Sequence, residues 1–223
     1  MRHRTGKYGA RLRQGRSPRS GRRRRRVLVA SVVLWGMSHA GGASAGEAGW
    51  VAGINGAPTI VRGTQSQPLQ RGDAVAIGDR IRTDGNAKVK LLLADDSVLA
   101  IGPQSDVVID VLLIGGADRT ARLRVLAGRF KLAIATWLGG RSDYEVATPT
   151  AVAGVRGTVL WGDTELDAIC NLHGAVEVRT LRGDATTTLE AGHCVTGMGK
   201  GDTTPLVPSR EDLQRYLAQV TLD

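Results

Sequence analysis

The stretch RLRVLAGRFKLAI, residues 122–134, decides the fold class of this chain. Apolar and basic residues alternate in it on both sides of an Ala-Gly dipeptide at 127–128. Alternation with a period of two places apolar side chains on one face of a β-strand and polar side chains on the other. The stretch therefore predicts two half-buried strands separated by a turn.

Outward from this stretch, the same pattern recurs along the chain. Residues 88–93, 98–101 and 107–114 are further apolar or alternating runs, separated by turn signals at 95–97 and 102–103. Turn signals at intervals of about 8–12 residues are typical of folds built from short strands. These runs predict an all-β fold, either a jelly-roll-like sandwich or a short β-solenoid.

One helix is predicted, within residues 208–223 at the C-terminus. Ser209 is the expected N-cap, and Asp212 lies in the first turn. The apolar face of this helix repeats at helical spacing and comprises Leu213, Tyr216, Leu217 and Val220. We expect this face to pack on the β domain, and the alternative is that it docks on a partner protein.

The N-terminal residues predict export. The first 26 residues contain 12 of the 30 Lys and Arg residues and no acidic residue, which leaves 18 basic against 21 acidic residues elsewhere. The apolar run that follows, 27–37, is shorter than the roughly 20 residues of a membrane span. Ala43-Ser44-Ala45 resembles a cleavage site, so we predict a signal peptide at 1–45, cleaved between Ala45 and Gly46.

This signal predicts a periplasmic mature protein with a β domain at 46–207 and the helix at 208–223. The alternative is that the apolar run stays as an uncleaved anchor. The arginine run also loosely fits a twin-arginine signal, so the export route is left open. Because the chain beyond residue 26 is slightly acidic, nucleic-acid binding is not expected.

Three motifs are similar to those of the FecR domain, which is named after the periplasmic sensor of iron-dicitrate uptake. They are GDRIRTDGNAKVKLLLADDSVLA at 78–100, YEVATPTAVAGVRGTVL at 144–160, and the GAVEV and LEAGHCV segments within 174–195. Together they cover roughly residues 72–195. Asp96 stands where the family often has glycine, so a different turn type is expected there. The resemblance implies a FecR-type β domain associated with envelope signalling.

Sensor-type members of this family are membrane-anchored anti-sigma regulators with a cytoplasmic helical domain. Residues 1–26 show no amphipathic helical pattern. We therefore expect a stand-alone exported FecR domain that lacks the anti-sigma part.

The second motif contains a candidate interaction loop. Gly154 and Gly157 bracket Val155-Arg156, and glycine permits a positive φ or a close backbone approach. Pro149 is expected to interrupt the strand before them. Arg156 is then an exposed donor that suits a carboxylate or a phosphate. The alternative is a structural turn whose arginine pairs internally or lies in water.

The two cysteines, Cys170 and Cys194, predict a disulfide, because export places them in an oxidising compartment. The alternative is a metal site that adds His173 and His193. Each histidine is an odd number of residues from its cysteine, so regular strands place it on the opposite face. A tetrahedral site would need bulges in both strands.

Catalysis has little support in the sequence. No nucleophile elbow, zinc-protease motif or phosphate loop is present. The carboxylate pairs Asp95-Asp96 and Asp163/Glu165 are expected to be solvated turn residues rather than glycosidase groups. No catalytic residue, cofactor or metal is therefore predicted.

The function predicted from these observations is a non-catalytic periplasmic interaction module that binds an envelope protein. One alternative is a carbohydrate- or peptidoglycan-binding module, in which Trp137 and Trp161 form a platform for a glycan. The other is a membrane-anchored signalling regulator of the iron-uptake type.

Overall fold

The computed structural model describes residues 46–136 and 140–222. These residues form fifteen strands, a short 3-10 helix at Met198–Lys200 and one α-helix, α1, at Arg210–Val220. The strands are β1 Glu47–Asn55, β2 Thr59–Arg62, β3 Gln65–Pro68, β4 Ala74–Ala76, β5 Arg80–Arg82, β6 Lys88–Leu93, β7 Val98–Ile101, β8 Asp106–Gly115, β9 Asp118–Ala127, β10 Arg129–Ala133, β11 Ser142–Ala147, β12 Ala151–Asp163, β13 Ala168–Thr180, β14 Thr186–Glu190 and β15 Cys194–Thr196. The all-β class and the C-terminal helix predicted from the sequence are confirmed.

The stretch 122–134 forms β9 and β10, but the two strands are not hydrogen-bonded to each other. β9 pairs with β8 and β11, whereas β10 pairs with β7 and β12. Gly128 forms the corner between them with a φ of +86°, and a Cβ there would fall 2.4 Å from the Cα of Ser105. Only glycine fits this corner, because any side chain would meet the backbone of the neighbouring turn.

All fifteen strands belong to one sheet. Its main path runs β3-β2-β5-β8-β9-β11-β12-β10-β7-β6-β1-β4, and β13 pairs with β12 and carries β14 and β15. The pairs are antiparallel except for β9 and β11, which run parallel in register from Ser142 opposite Arg119 to Ala147 opposite Arg124. This parallel pair brings the beginning of β11 beside the beginning of β9.

Strand β12 is the junction of the sheet. Its first half, Val152 to Val155, pairs with β11, and its second half, Val159 to Asp163, pairs with β10. β13 pairs with both halves from the other side. The predicted interruption at Pro149 is present, because β11 ends at Ala147 and β12 begins at Ala151.

The main core is formed by inward-facing apolar side chains from strands throughout the sheet. Strand β9 shows the alternation directly, since Ala121, Leu123 and Val125 are buried. A second, smaller cluster contains Trp161, both cysteines, Ala100, Ala168 and Val220.

Helix α1 begins at the predicted cap. The Ser209 hydroxyl accepts a hydrogen bond of 3.1 Å from the backbone N–H of Asp212, which satisfies one free amide of the first turn. The Tyr216 ring stacks on Trp161 with centroids 4.4 Å apart, and Val220 is buried. The apolar face of α1 therefore packs on the β domain.

The other end of α1 is held by Lys88. Its Nζ donates to the carbonyl oxygens of Ala218 at 2.9 Å and Thr221 at 2.7 Å. A cation here also complements the negative end of the helix dipole. In the part of the chain that the structure describes, no helix is long and apolar enough to cross a membrane.

Two predictions fall on residues that the structure does not describe. The predicted signal peptide at 1–45 lies outside the described residues, which begin at Gly46. Trp137, half of the predicted glycan platform, lies outside them as well.

Candidate ligand-binding cleft

A buried polar network underlies the candidate site. The Arg119 guanidinium donates from Nη1 to Oδ2 of Asp95 at 2.9 Å and from Nε to the hydroxyl of Ser142 at 2.9 Å. Both side chains of the Arg119–Asp95 ion pair are 0% exposed. The remaining nitrogen, Nη2, donates to the carbonyl of Ala135. A buried charge pair is tolerated only when its other hydrogen-bonding groups are also satisfied, as they are here.

Asp95 accepts a hydrogen bond of 3.2 Å from the backbone N–H of Ser97 and two further hydrogen bonds from side chains. They come from the hydroxyl of Ser97, at 2.8 Å, and from the hydroxyl of Tyr144. Burial raises the pKa of Tyr144 above its ordinary value, and the hydrogen bond to Asp95 raises it further. Tyr144 therefore remains a neutral donor, and its ring lies beneath the Arg119 guanidinium with 5.3 Å between Cζ and the ring centroid.

A cleft of about 860 Å³ opens above this network. Its described lining consists of Arg119, Thr136, Gly140, Arg141, Ser142, Asp143, Arg156 and Gly157. The described residues of the lining are polar or glycine, which suits a hydrophilic ligand. Its volume lies within the range of roughly 300–1,000 Å³ that is common for small-ligand pockets.

The charges of the cleft are mostly positive. Arg141 and Arg156 are exposed, and neither forms an ion pair with any residue that the structure describes. Asp143 is held by Arg122 at 2.7 Å, and Arg119 is held by Asp95. Two guanidinium groups therefore remain available in this cleft.

Arg156 reaches the cleft through a bulge in β12. The register with β13 shifts between Arg156 and Val159, and Gly157 has a φ of +60°. Opposite it, Gly174 has a φ of +81°, and a Cβ there would lie 2.8 Å from Cγ2 of Thr158. The predicted interaction loop is therefore a bulge within a long strand.

Gly154 does not behave as predicted. It is not in the left-handed region, and the nearest atom to a Cβ at this position would be the carbonyl oxygen of Glu177, at 3.9 Å. It occupies an ordinary position of β12 opposite Glu145 and Glu177. The glycine spacing thus indicated a special backbone correctly for Gly157 only.

The expected disulfide joins Cys170 and Cys194, which lie directly opposite each other in β13 and β15. Because both sulfur atoms are in this bond, they are not available as thiolate ligands for the alternative metal site. No group of three or more His, Cys, Asp or Glu residues in residues 46–136 and 140–222 is arranged to hold a metal ion.

The other candidate residues have structural contacts. Trp161 is 0% exposed beneath Tyr216, so it is not available for the alternative of a glycan platform. Asp163 is buried and accepts from Nε of Arg129 at 2.7 Å, while Glu165 accepts from Nη2 of the same arginine at 2.5 Å. The solvated turn expected for Asp95 and Asp163 is also wrong, because both carboxylates are buried in ion pairs.

Two important residues were missed in the sequence, Arg119 and Arg141. Arg119 has the same parity as the buried residues Ala121, Leu123 and Val125 of β9. A charge on the inward face of a strand indicates a buried ion pair, so this signal was present in the sequence. Arg141 carried no comparable signal, because its place in the cleft depends on the parallel pairing of β9 and β11.

The fold and the cleft define an all-β protein with an accessible cationic cleft and a C-terminal helix packed on the sheet. Residues 79–186, just under half of the chain, match the family described as FecR protein. The resemblance to the FecR domain seen in the sequence is confirmed over these residues. No curated protein matches the chain.

Two crystal structures of a proposed anti-sigma factor from Parabacteroides distasonis ATCC 8503 are similar to this chain. In both cases the sequence identity is 14%, the TM-score is 0.49 and 62% of this chain is covered. The similar region spans 64% and 63% of those chains, which is less than two thirds of their length.

Proposed function

We propose that this FecR-domain protein is a non-catalytic periplasmic interaction module that binds an envelope protein. The observation that carries the proposal is the position of the cleft within the family segment. Arg119, Arg141 and Arg156, together with Asp95 and Tyr144, all lie inside residues 79–186. The part of the chain that defines the family is therefore also the part that builds the accessible cationic cleft.

The geometry supports binding more than bond-making chemistry. The acidic groups near the cleft, Asp95 and Asp143, are both held by arginines. The two available groups are guanidinium ions, which stay charged at any ordinary pH and do not serve as general bases. They suit recognition of an anionic partner.

Site-specific photo-crosslinking tests this proposal. A photoreactive amino acid replaces Arg141 in the full chain, expressed in its own cells, and a second variant carries it at Arg71. Arg71 is exposed, lies outside the cleft lining and forms no ion pair with a described residue. We expect one envelope protein to be crosslinked from position 141 and not from position 71.

Fractionation and intact mass of the same preparations test the location. A mature N-terminus at Gly46 and recovery in the periplasmic fraction are expected. Equal crosslinking from both positions, or recovery of the chain in the cytoplasm, would contradict the proposal, as would robust turnover of a substrate by the purified protein.

A further inference from the structure

Arginines on this sheet are usually paired with a carboxylate. Among the described residues, nine arginines form such ion pairs: Arg62, Arg80, Arg82, Arg119, Arg122, Arg124, Arg129, Arg179 and Arg215. Arg141 and Arg156 have no such partner in the described part of the chain, and both line one cleft. Arg71, Arg182 and Arg210 also form no ion pair with a described residue, but they are not among the lining residues of this cleft. The convergence of Arg141 and Arg156 in one cleft therefore requires an explanation.

The acidic residues nearest to this pair already accept hydrogen bonds or form ion pairs. Asp118 accepts the backbone N–H of Arg141 at 2.9 Å, so it fixes the main chain there. Asp143 is held by Arg122, which also lies 3.5 Å from Glu145. The cleft thus presents two guanidinium groups above a floor whose own charges are already paired.

From this arrangement we infer that the cleft binds a carboxylate-bearing segment of the partner protein, with Arg141 and Arg156 as its charged ligands. This inference rests on the proposed function. A guanidinium binds a carboxylate through two parallel hydrogen bonds, which gives both affinity and orientation. The polar lining and the volume of about 860 Å³ accommodate an acidic side chain together with its neighbouring backbone.

The surroundings favour a peptide over a polyphosphate. Asp143 places negative charge in the lining of the cleft, and the chain beyond residue 26 has more acidic than basic residues. A polyanion such as a nucleic acid would meet this repulsion along its length. A single acidic side chain presents one charge to the two arginines and meets less of this repulsion.

The backbone leaves room for such a ligand. A Cβ at Gly157 would meet no atom within 4 Å, so this edge of the cleft is open beside Arg156. Ser142, whose hydroxyl accepts from Arg119, is fixed at the floor. The cleft is therefore preorganised at its floor and open at the side where the ligand enters.

The test uses the purified full chain and a blocked peptide with a single glutamate among glycines, which carries a photoreactive diazirine. Peptide adducts are mapped by mass spectrometry, and the yield is followed against peptide concentration. Adducts elsewhere on the chain serve as an internal reference for non-specific capture. The informative signal is the adduct within residues 136–157.

We expect Arg141→Gln and Arg156→Gln each to weaken the cleft adduct by about tenfold, which is the effect of losing one charge-assisted pair. The double variant is expected to lose it, while the reference adduct stays constant. Arg71→Gln is the matched control and should behave as the wild type. Because Arg141 and Arg156 are exposed, the thermal midpoint of each variant should be unchanged.

Three outcomes would overturn the inference: a double variant that keeps the cleft adduct, an equal loss in Arg71→Gln, or displacement of the peptide by low concentrations of inorganic phosphate. The last would make this a phosphate site. If the single-glutamate peptide fails but crosslinking from position 141 still captures the envelope protein, the carboxylate inference is wrong and the proposed function stands.

Discussion

Gly154 and Gly157 show how differently two glycines in one strand can contribute. Gly157 has a φ of +60°, in the left-handed region, whereas Gly154 is in an ordinary strand conformation. We expect Gly157→Ala to lower the free energy of unfolding by about 1–2 kcal/mol, because a Cβ disfavours that region. Gly154→Ala should leave stability unchanged or raise it slightly. Chemical denaturation of the two variants measures this difference, and equal stability would contradict the assignment.

Tyr144 makes the free energy of unfolding depend on pH in the alkaline range. Its pKa is raised in the folded protein by burial and by Asp95, so the folded state favours the neutral phenol. The stabilisation that comes from this raised pKa is complete below the pKa of tyrosine in the unfolded chain, about 10. It is lost as the pH rises above that value, by up to about 1.4 kcal/mol per pH unit.

The variant Tyr144→Phe isolates this effect. Its free energy of unfolding should fall less steeply between pH 10 and 11.5 than that of the wild type. At pH 7 the variant should be less stable by about 1–3 kcal/mol, because Asp95 loses a buried donor. Denaturation at each pH gives both numbers, and parallel pH profiles would show that Tyr144 does not titrate differently on unfolding.

At the scale of the element, the C-terminal helix depends on its cap. Removing the Ser209 hydroxyl leaves the N–H of Asp212 without its side-chain acceptor. Ser209→Ala should therefore lower stability by about 1 kcal/mol. Ser66→Ala, at an exposed serine of edge strand β3, is the control and should change stability by less than about 0.5 kcal/mol. Thermal unfolding compares them, and similar losses would argue against the cap.

Elements were more predictable than their pairing. The helix could be predicted from Ser209 and from the spacing of Tyr216 and Val220, because capping and amphipathicity are local properties. The alternation at 122–134 likewise predicted two strands. No local sequence pattern showed that β9 and β10 are not paired with each other or that β9 runs parallel to β11. Strand pairing depends on residues far away in the sequence.

At the scale of the whole molecule, the disulfide closes a long stretch of chain. Cys170 and Cys194 are separated by 24 positions. In the chain-entropy description a closed loop of this length stabilises the folded state by about 3 kcal/mol. The double variant Cys170→Ala/Cys194→Ala should lose stability of this order in a denaturant titration. A loss below about 1 kcal/mol would show that the unfolded chain is little restricted by the bond.

The candidate site is also assembled from separate segments of the chain. Arg119, Arg141 and Arg156 come from β9, the segment before β11, and β12. The sequence allowed Arg156 to be singled out from its glycines, and the parity of Arg119 was readable. Their meeting in one cleft could not be predicted, because it depends on the parallel pair and on the bulge at Gly157.

The position of β12 at the junction of the sheet affects how its amide protons exchange with solvent. Three arms of the sheet meet on it, through β11, β10 and β13. The outer strands β3, β4 and β14 can fray while β12 stays intact, but β12 is released only when every arm separates. Its amide protons should therefore exchange with deuterium only through global unfolding. Exchange in this single strand then reports the stability of the entire domain.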